Sequence, residues 1–160
     1  MSSVTIPNPE KVSGSTTERL HNAHGWVEGV LDGYVEITAS VAKKVFTDAL
    51  SGGEMTIPAG SKIESFRLTC MTAGTITTGT SLGIGKTDDP DQLSETTFTS
   101  IDAVDDTVAD LSPSNVEFAA AAAIYAHSTN GSGSAAGTLD TGKWAIRIFY
   151  RTLASHVSFA

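Results

Sequence analysis

The sequence predicts an all-β fold, a β-sandwich or jelly roll preceded by an extended N-terminal arm. Three observations carry this expectation. Apolar and polar residues alternate with a period of two in several separate stretches. Those stretches are short and lie between turns rich in Gly, Pro and Asp. Threonine, whose branched Cβ suits strands and turns better than helices, occurs 21 times. The chain has 160 residues, 40% of them hydrophobic, enough for one domain with a sizeable core.

Residues 1–30 read as the arm and residues 31–160 as the sandwich. The arm is polar and holds Pro7 and Pro9. Its apolar residues, Val4, Ile6, Val12, Leu20, Trp26 and Val27, follow neither period. Ser15-Thr16-Thr17-Glu18 is a capping-box string that can start one helical turn. Too little apolar surface lies here for the segment to order itself, so Val4, Ile6 and Val12 are candidate anchors on a partner.

Strands are expected at about 34–47, 63–72, 80–86, 124–129 and 143–152. Val35 and Ile37 alternate with Glu36 and Thr38, and Val41 to Phe46 continue the extended piece. Ser51-Gly52-Gly53 and Pro58-Ala59-Gly60 are turns. Phe66, Leu68 and Cys70 alternate with Arg67, Thr69 and Met71. Ile63 is out of phase with them, which predicts a bulge near Glu64 or Ser65. Leu82 and Ile84 share a face, and Asp88-Asp89-Pro90-Asp91 ends that piece. The alanine run before Ile124 also suits a helical turn after Ser112-Pro113. The clearest element is the last. Trp144, Ile146, Ile148 and Tyr150 fall on one face, and Ala145, Arg147, Phe149 and Arg151 on the other. One side therefore lies on the core while Phe149 faces solvent or a partner, which makes Phe149 a further candidate contact and points to a homo-oligomer.

Charge narrows the partners. Ten basic residues face 18 acidic ones, a net charge of −8. Residues 88–117 carry nine carboxylates and no Lys or Arg, and read as a solvated acidic surface. Binding to nucleic acid or to anionic lipid needs the opposite pattern. The longest apolar run, residues 118–126, is too short to span a bilayer, and no signal peptide is expected from the polar start of the chain. The single cysteine, Cys70, reads as a buried core thiol.

Several strings imitate catalytic or binding motifs. Gly85-Lys86-Thr87 ends like a phosphate-binding loop, but the glycine required five positions earlier is Thr80, and three carboxylates follow. Gly79-Thr80-Ser81-Leu82-Gly83 matches a nucleophile elbow, yet Ser81 begins an alternating strand rather than a strand-to-helix turn. His21 and His24 are three apart without the zincin glutamate, and His127 and His156 have no ligand partners nearby in sequence. Asp88-Asp89-Pro90-Asp91 lacks the spacing of a calcium loop. Asn130-Gly131-Ser132 reads as a turn. No catalytic residue, metal ligand or cofactor is expected.

Three segments together resemble a family. They are Met55-Thr56-Ile57-Pro58-Ala59-Gly60-Ser61-Lys62-Ile63, then Ser81-Leu82-Gly83-Ile84-Gly85-Lys86-Thr87 with its acidic turn, and Gly142-Lys143-Trp144-Ala145-Ile146-Arg147-Ile148-Phe149-Tyr150. Over residues 50–152 the chain resembles the small β-sandwich virion proteins of tailed bacteriophages that decorate or cement the capsid. The resemblance implies no catalysis, a major capsid protein lattice as partner, assembly as trimers or dimers, and a place on the virion surface after synthesis in the host cytoplasm. Two other classes remain open. A carbohydrate-binding or adhesin-like jelly roll of a phage tail or fibre would use Trp26, Tyr34, Tyr125 or Trp144 as sugar platforms. An enzyme on a jelly-roll scaffold would need a His/Glu metal set.

Overall fold

The computed structural model describes residues 19–21, 26–110 and 116–153. They form an all-β sandwich. In chain order the strands are β1 (Arg19–His21), β2 (Trp26–Ile37), β3 (Lys43–Val45), β4 (Thr47–Asp48), β5 (Thr56–Ile57), β6 (Ser61–Thr77), β7 (Ser81–Gly85), β8 (Ser94–Thr97), β9 (Thr107–Asp110), β10 (Glu117–Phe118), β11 (Ala122–Ala123), β12 (Tyr125–Thr129) and β13 (Thr138–Leu153), with a 3₁₀ turn at Phe98–Ser100. One sheet runs β1-β2-β13-β6-β10, with β4 added to β2 and β9 to β6. The second runs β3-β12-β7-β8, and β5 and β11 make a small ribbon. All the pairings are antiparallel.

The core lies between the two sheets. From the large sheet come Leu31, Val35, Phe66, Leu68, Cys70, Trp144, Ile146, Ile148 and Tyr150; from the small one come Leu82, Ile84 and Ala126. The alternation of β13 is realised as expected: Trp144, Ile146, Ile148 and Tyr150 are all buried, Trp144 and Ile148 at 0% exposure. Trp144 donates from Nε1 to the Ile101 carbonyl at 2.9 Å and meets the edge of Phe98. Its polar atom is therefore satisfied inside the core. Cys70 is buried, and burial first of all raises its thiol pKa. The expected bulge is present: Phe149 pairs with Ser65 and Tyr150 with Ile63, leaving Glu64 as the extra residue of β6.

Elsewhere the structure departs from the sequence reading. β2 starts at Trp26, inside the segment read as the arm, pairs with β1, and buries Val27. The inward positions of β2 are Val27, Gly29, Leu31, Gly33, Val35 and Ile37, and the two glycines interrupt the apolar alternation that would have revealed the strand. Gly29 leaves room for the Tyr150 ring, which lies 2.3 Å from where its Cβ would stand. The expected strand at 34–47 is divided: β3 joins the small sheet, β4 returns to β2, and Phe46 between them is fully buried. The acidic stretch is more than a solvated loop. It supplies β8 and β9 and buries Leu93, Phe98 and Ile101. The alanine run takes no helical turn: β10 ends at Phe118 just before it and β11 is its last two residues, while Ser112 and Pro113 lie outside the described residues.

Candidate docking surface

The outer face of the large sheet brings together the outward side chains of its central strands. From β2 come Glu28, Val30, Asp32, Tyr34 and Glu36, and from β13 come Lys143, Ala145, Arg147, Phe149 and Arg151. From β6 come Lys62, Glu64, Arg67 and Thr69, and from β9 Thr107 and Ala109. Register sets them in rows: Tyr34–Ala145–Thr69–Thr107, then Asp32–Arg147–Arg67–Ala109, then Val30–Phe149–Ser65. Period-two alternation makes these rows, because every inward neighbour is held by the core.

Opposite charges pair across the strands. Arg147 grips Asp32 with both ends of its fork, Nε to Oδ1 at 2.6 Å and Nη2 to Oδ2 at 3.0 Å. Those hydrogen bonds, and then the carboxylate charge, raise the guanidinium pKa further. Lys143 stands 3.6 Å from Glu36 and 5.0 Å over the Tyr34 ring, and Arg151 stands 2.8 Å from Glu64. Both partners of these pairs are partly exposed, so each contributes at most about 1 kcal/mol to stability. Their main effect is to fix side-chain directions on a face that carries exposed aromatic surface.

Arg67 is different. It stands directly opposite Arg147 and is exposed. Among the described residues it has no carboxylate within ion-pair distance. Two depressions flank the Arg147–Asp32 row. One, of about 440 Å³, is lined by Tyr34, Ala49, Arg67, Thr69 and Ala145; the other, of about 470 Å³, by Glu28, Val30, Glu64, Ser65 and Phe149. Phe149 is 41% exposed at the centre of this face. The other candidate contacts, Val4, Ile6 and Val12, lie outside the described residues. Sequence reading placed Arg67 on the outward side of its strand but missed its isolation, which depends on a register between residues eighty positions apart.

The imitated motifs occupy ordinary structural places. Ser81 is buried within β7. Gly85-Lys86-Thr87 leaves β7 and folds back on it as a strap over residues 86–93. The Asp89 carbonyl lies 2.0 Å from where a Gly85 Cβ would stand, and the Pro90 carbonyl 2.6 Å from that of Gly83. Glycine at both positions lets the strap lie flat on β7. His127 is 1% exposed, shares a hydrogen bond with the Lys86 backbone, and leaves Nε2 without a partner. Within the strap, burial and then the neighbouring Asp91 charge raise the Asp89 pKa. Glu95 caps the next loop, accepting the Gly131 and Gly133 amides at 2.9 Å each, and Asn130 Oδ1 accepts the Ser132 amide, making the expected turn. Among the described residues no group of three or more His, Cys, Asp or Glu side chains is placed to hold a metal ion, and no helix is long and apolar enough to cross a membrane. His21 is in β1, and His24 and His156 lie outside the described residues. Trp144, one of the sugar-platform candidates, is fully buried and cannot stack on a sugar.

No family model matches the sequence, and no curated protein matches it either. Solved structures do match by shape. A chain of the cyanophage Pam1 capsid asymmetric unit superposes with a TM-score of 0.51 at 12% identity, over 95% of this chain and 97% of that one. A chain of the acid-stable capsid of Helicobacter pylori bacteriophage KHP30 superposes with a TM-score of 0.50 at 14% identity, over 81% of this chain and 90% of that one. The likeness extends over most of the chain in both cases, and what it establishes is a shared fold.

Proposed function

We propose that the chain is a structural, non-catalytic virion protein that binds the outer surface of a bacteriophage capsid as a homo-oligomer and cements it. The observation that carries this reading is the likeness in fold, over 95% and 81% of this chain, to two chains from phage capsids. The charge supports the outer surface. A capsid interior confronts packaged DNA, and a chain of net charge −8 is repelled by phosphate. The ordered, ion-paired outer face of the large sheet supports a role in binding, since its side chains are already directed for contact.

In this reading the sandwich is the rigid body, and Val4, Ile6 and Val12 of the N-terminal segment reach across capsid subunits. Each contributes about 1.5–3 kcal/mol if fully buried there. The test mixes the purified protein with empty shells of the phage that encodes it and follows co-sedimentation. Saturable binding and greater resistance of the shells to heat are the expected results. Lack of binding, or shell assembly by this chain alone, would overturn the cement reading. Deleting residues 2–14 is expected to leave the sandwich folded and to weaken binding at least tenfold. Undiminished binding by the deleted form would remove the segment from the contact.

A further inference from the structure

We infer that Asn130-Gly131 is a site of self-modification, at which the Gly131 amide nitrogen attacks the Asn130 side-chain amide, with the Glu95 carboxylate as base and the Ser132 and Ser134 amides as oxyanion donors. The inference goes beyond the function proposed above and does not rest on it.

Residues 130–134 form the loop that leaves β12, and each of their amides has an acceptor. The Asn130 amide donates to the Ser134 carbonyl at 3.1 Å and closes the loop. The Gly131 and Gly133 amides donate to Glu95 Oε1 and Oε2 at 2.9 Å each. The Ser132 and Ser134 amides donate to Asn130 Oδ1 at 3.0 and 3.3 Å. Two N–H donors on one atom identify it as the oxygen of the side chain rather than Nδ2. Glu95 is held from β8, opposite Gly83 of β7. Gly131 has a φ of +80° and Gly133 one of +73°, values that glycine adopts without strain. These two turns let successive amides point alternately to Glu95 and to Asn130.

This is the one place in the sequence where glycine follows asparagine. Glycine has no Cβ to shield its nitrogen, and both residues are exposed. The turn closed by Oδ1 and the Ser132 amide folds the Asn130 side chain back over its own peptide. Asn130 Cγ and the Gly131 nitrogen are then the two ends of a five-membered ring, completed by the Cβ, Cα and carbonyl carbon of Asn130. Holding both ends in one loop replaces a collision by a ring closure.

In the first step Glu95 Oε1 takes the Gly131 N–H proton as the nitrogen bonds to Cγ, and an electron pair of the Cγ–Oδ1 double bond moves onto Oδ1. The Ser132 and Ser134 amides already point at that oxygen and stabilise its charge. In the second step the pair returns and the Cγ–Nδ2 bond breaks. Nδ2 takes the proton back from Glu95 and leaves as ammonia, and a cyclic imide remains. One water molecule then opens the imide. Cleavage of the new Cγ–N bond gives aspartate at position 130, and cleavage of the backbone C–N bond gives isoaspartate. Nothing is oxidised or reduced, and Glu95 is regenerated. The product carries one more carboxylate beside Glu95, where like charges repel. Hydrogen bonds also stiffen a loop, so the assignment has a measurable opposite, in which Glu95 is a clamp that retards the closure.

Mass spectrometry of the purified full chain during storage at neutral pH is the measurement, with peptide mapping to locate the change and an isoaspartate assay of the product. Loss of ammonia followed by gain of water is expected at Asn130, and not at Asn22, which precedes alanine. The folded chain is expected to convert at least tenfold faster than the same chain unfolded in urea, where Glu95 no longer meets the amide. Glu95→Gln keeps an acceptor oxygen but cannot take the proton. It is expected to slow the folded chain at least tenfold, with an unchanged circular dichroism spectrum. Glu95→Gln conversion as fast as wild type, or faster, would overturn the assignment. So would a folded wild-type chain that converts no faster than the unfolded one, a comparison that decides the matter even where the variant fails to fold.

Discussion

At the scale of single residues, His127 is the group most exposed to a change of pH. Its ring lies between β12 and the strap, where charge is poorly solvated. Burial lowers its pKa below the ordinary 6.5; the hydrogen bond with the Lys86 backbone works the other way, and the Lys43 ammonium adds a further lowering. The folded chain therefore holds His127 neutral, and between its folded pKa and 6.5 the unfolded chain binds the extra proton. Stability from this group is complete above 6.5 and is lost as pH falls through that value toward the folded pKa. Asp89 has the opposite sign. Its raised pKa means that the folded state holds its proton more tightly, a contribution to stability that is complete below the ordinary 3.8 and is lost as pH rises through the folded value. Urea unfolding at a series of pH values is expected to show the midpoint falling from pH 7 to pH 5. His127→Gln should flatten that slope; an equally steep slope in the variant would mean that other groups set it.

At the scale of elements, the strap is the piece whose geometry is least forgiving. It lies on β7 at backbone distance, so a side chain at Gly85 meets the Asp89 carbonyl, which cannot turn aside as a side-chain tip would. Gly85→Ala is expected to cost about 1–3 kcal/mol through overpacking, read as a lower denaturant midpoint with an unchanged slope. Gly53→Ala in the exposed turn is expected to cost much less, since its Cβ would meet only the Ser51 hydroxyl at 3.5 Å. What could be read from the sequence follows from the same packing. β13 and the middle of β6 were legible because their inward positions are occupied by large apolar side chains. The first half of β2 was not, because the Tyr150 ring, from the paired position on the neighbouring β13, and the Met55 sulfur fill the space at Gly29 and Gly33. β8 and β9 were hidden by their threonines and acids, which serve partner strands by backbone pairing more than by burial. Of the docking surface, the outward direction of Phe149 was legible. The Arg67–Arg147 juxtaposition was not, since a strand's alternation gives its faces and says nothing of its neighbours.

At the scale of the molecule, the order of the chain governs how the sandwich can form. β13 is the last of the described strands in sequence and the middle strand of the large sheet, with β2 on one side and β6 on the other. Its register with β2 joins Trp26 to Leu153 and Ile37 to Gly142, residues more than a hundred positions apart. Closing such loops costs entropy before the contacts repay it, which places refolding in the millisecond-to-second range rather than the microsecond range. Without β13, β2 and β6 have no direct pairing in the large sheet, and the core loses Leu139, Trp144, Ile146, Ile148 and Tyr150 at once. The two sheets share one core, so the small sheet has no independent apolar interior to retain. A chain ending at residue 137 is therefore expected to show no cooperative thermal transition, whereas the full chain unfolds in a single step with Trp fluorescence and far-ultraviolet circular dichroism coincident. A sigmoidal transition in the truncated chain, or separate transitions by the two probes in the full one, would mean that one sheet folds alone and that β13 is not the element on which the fold depends.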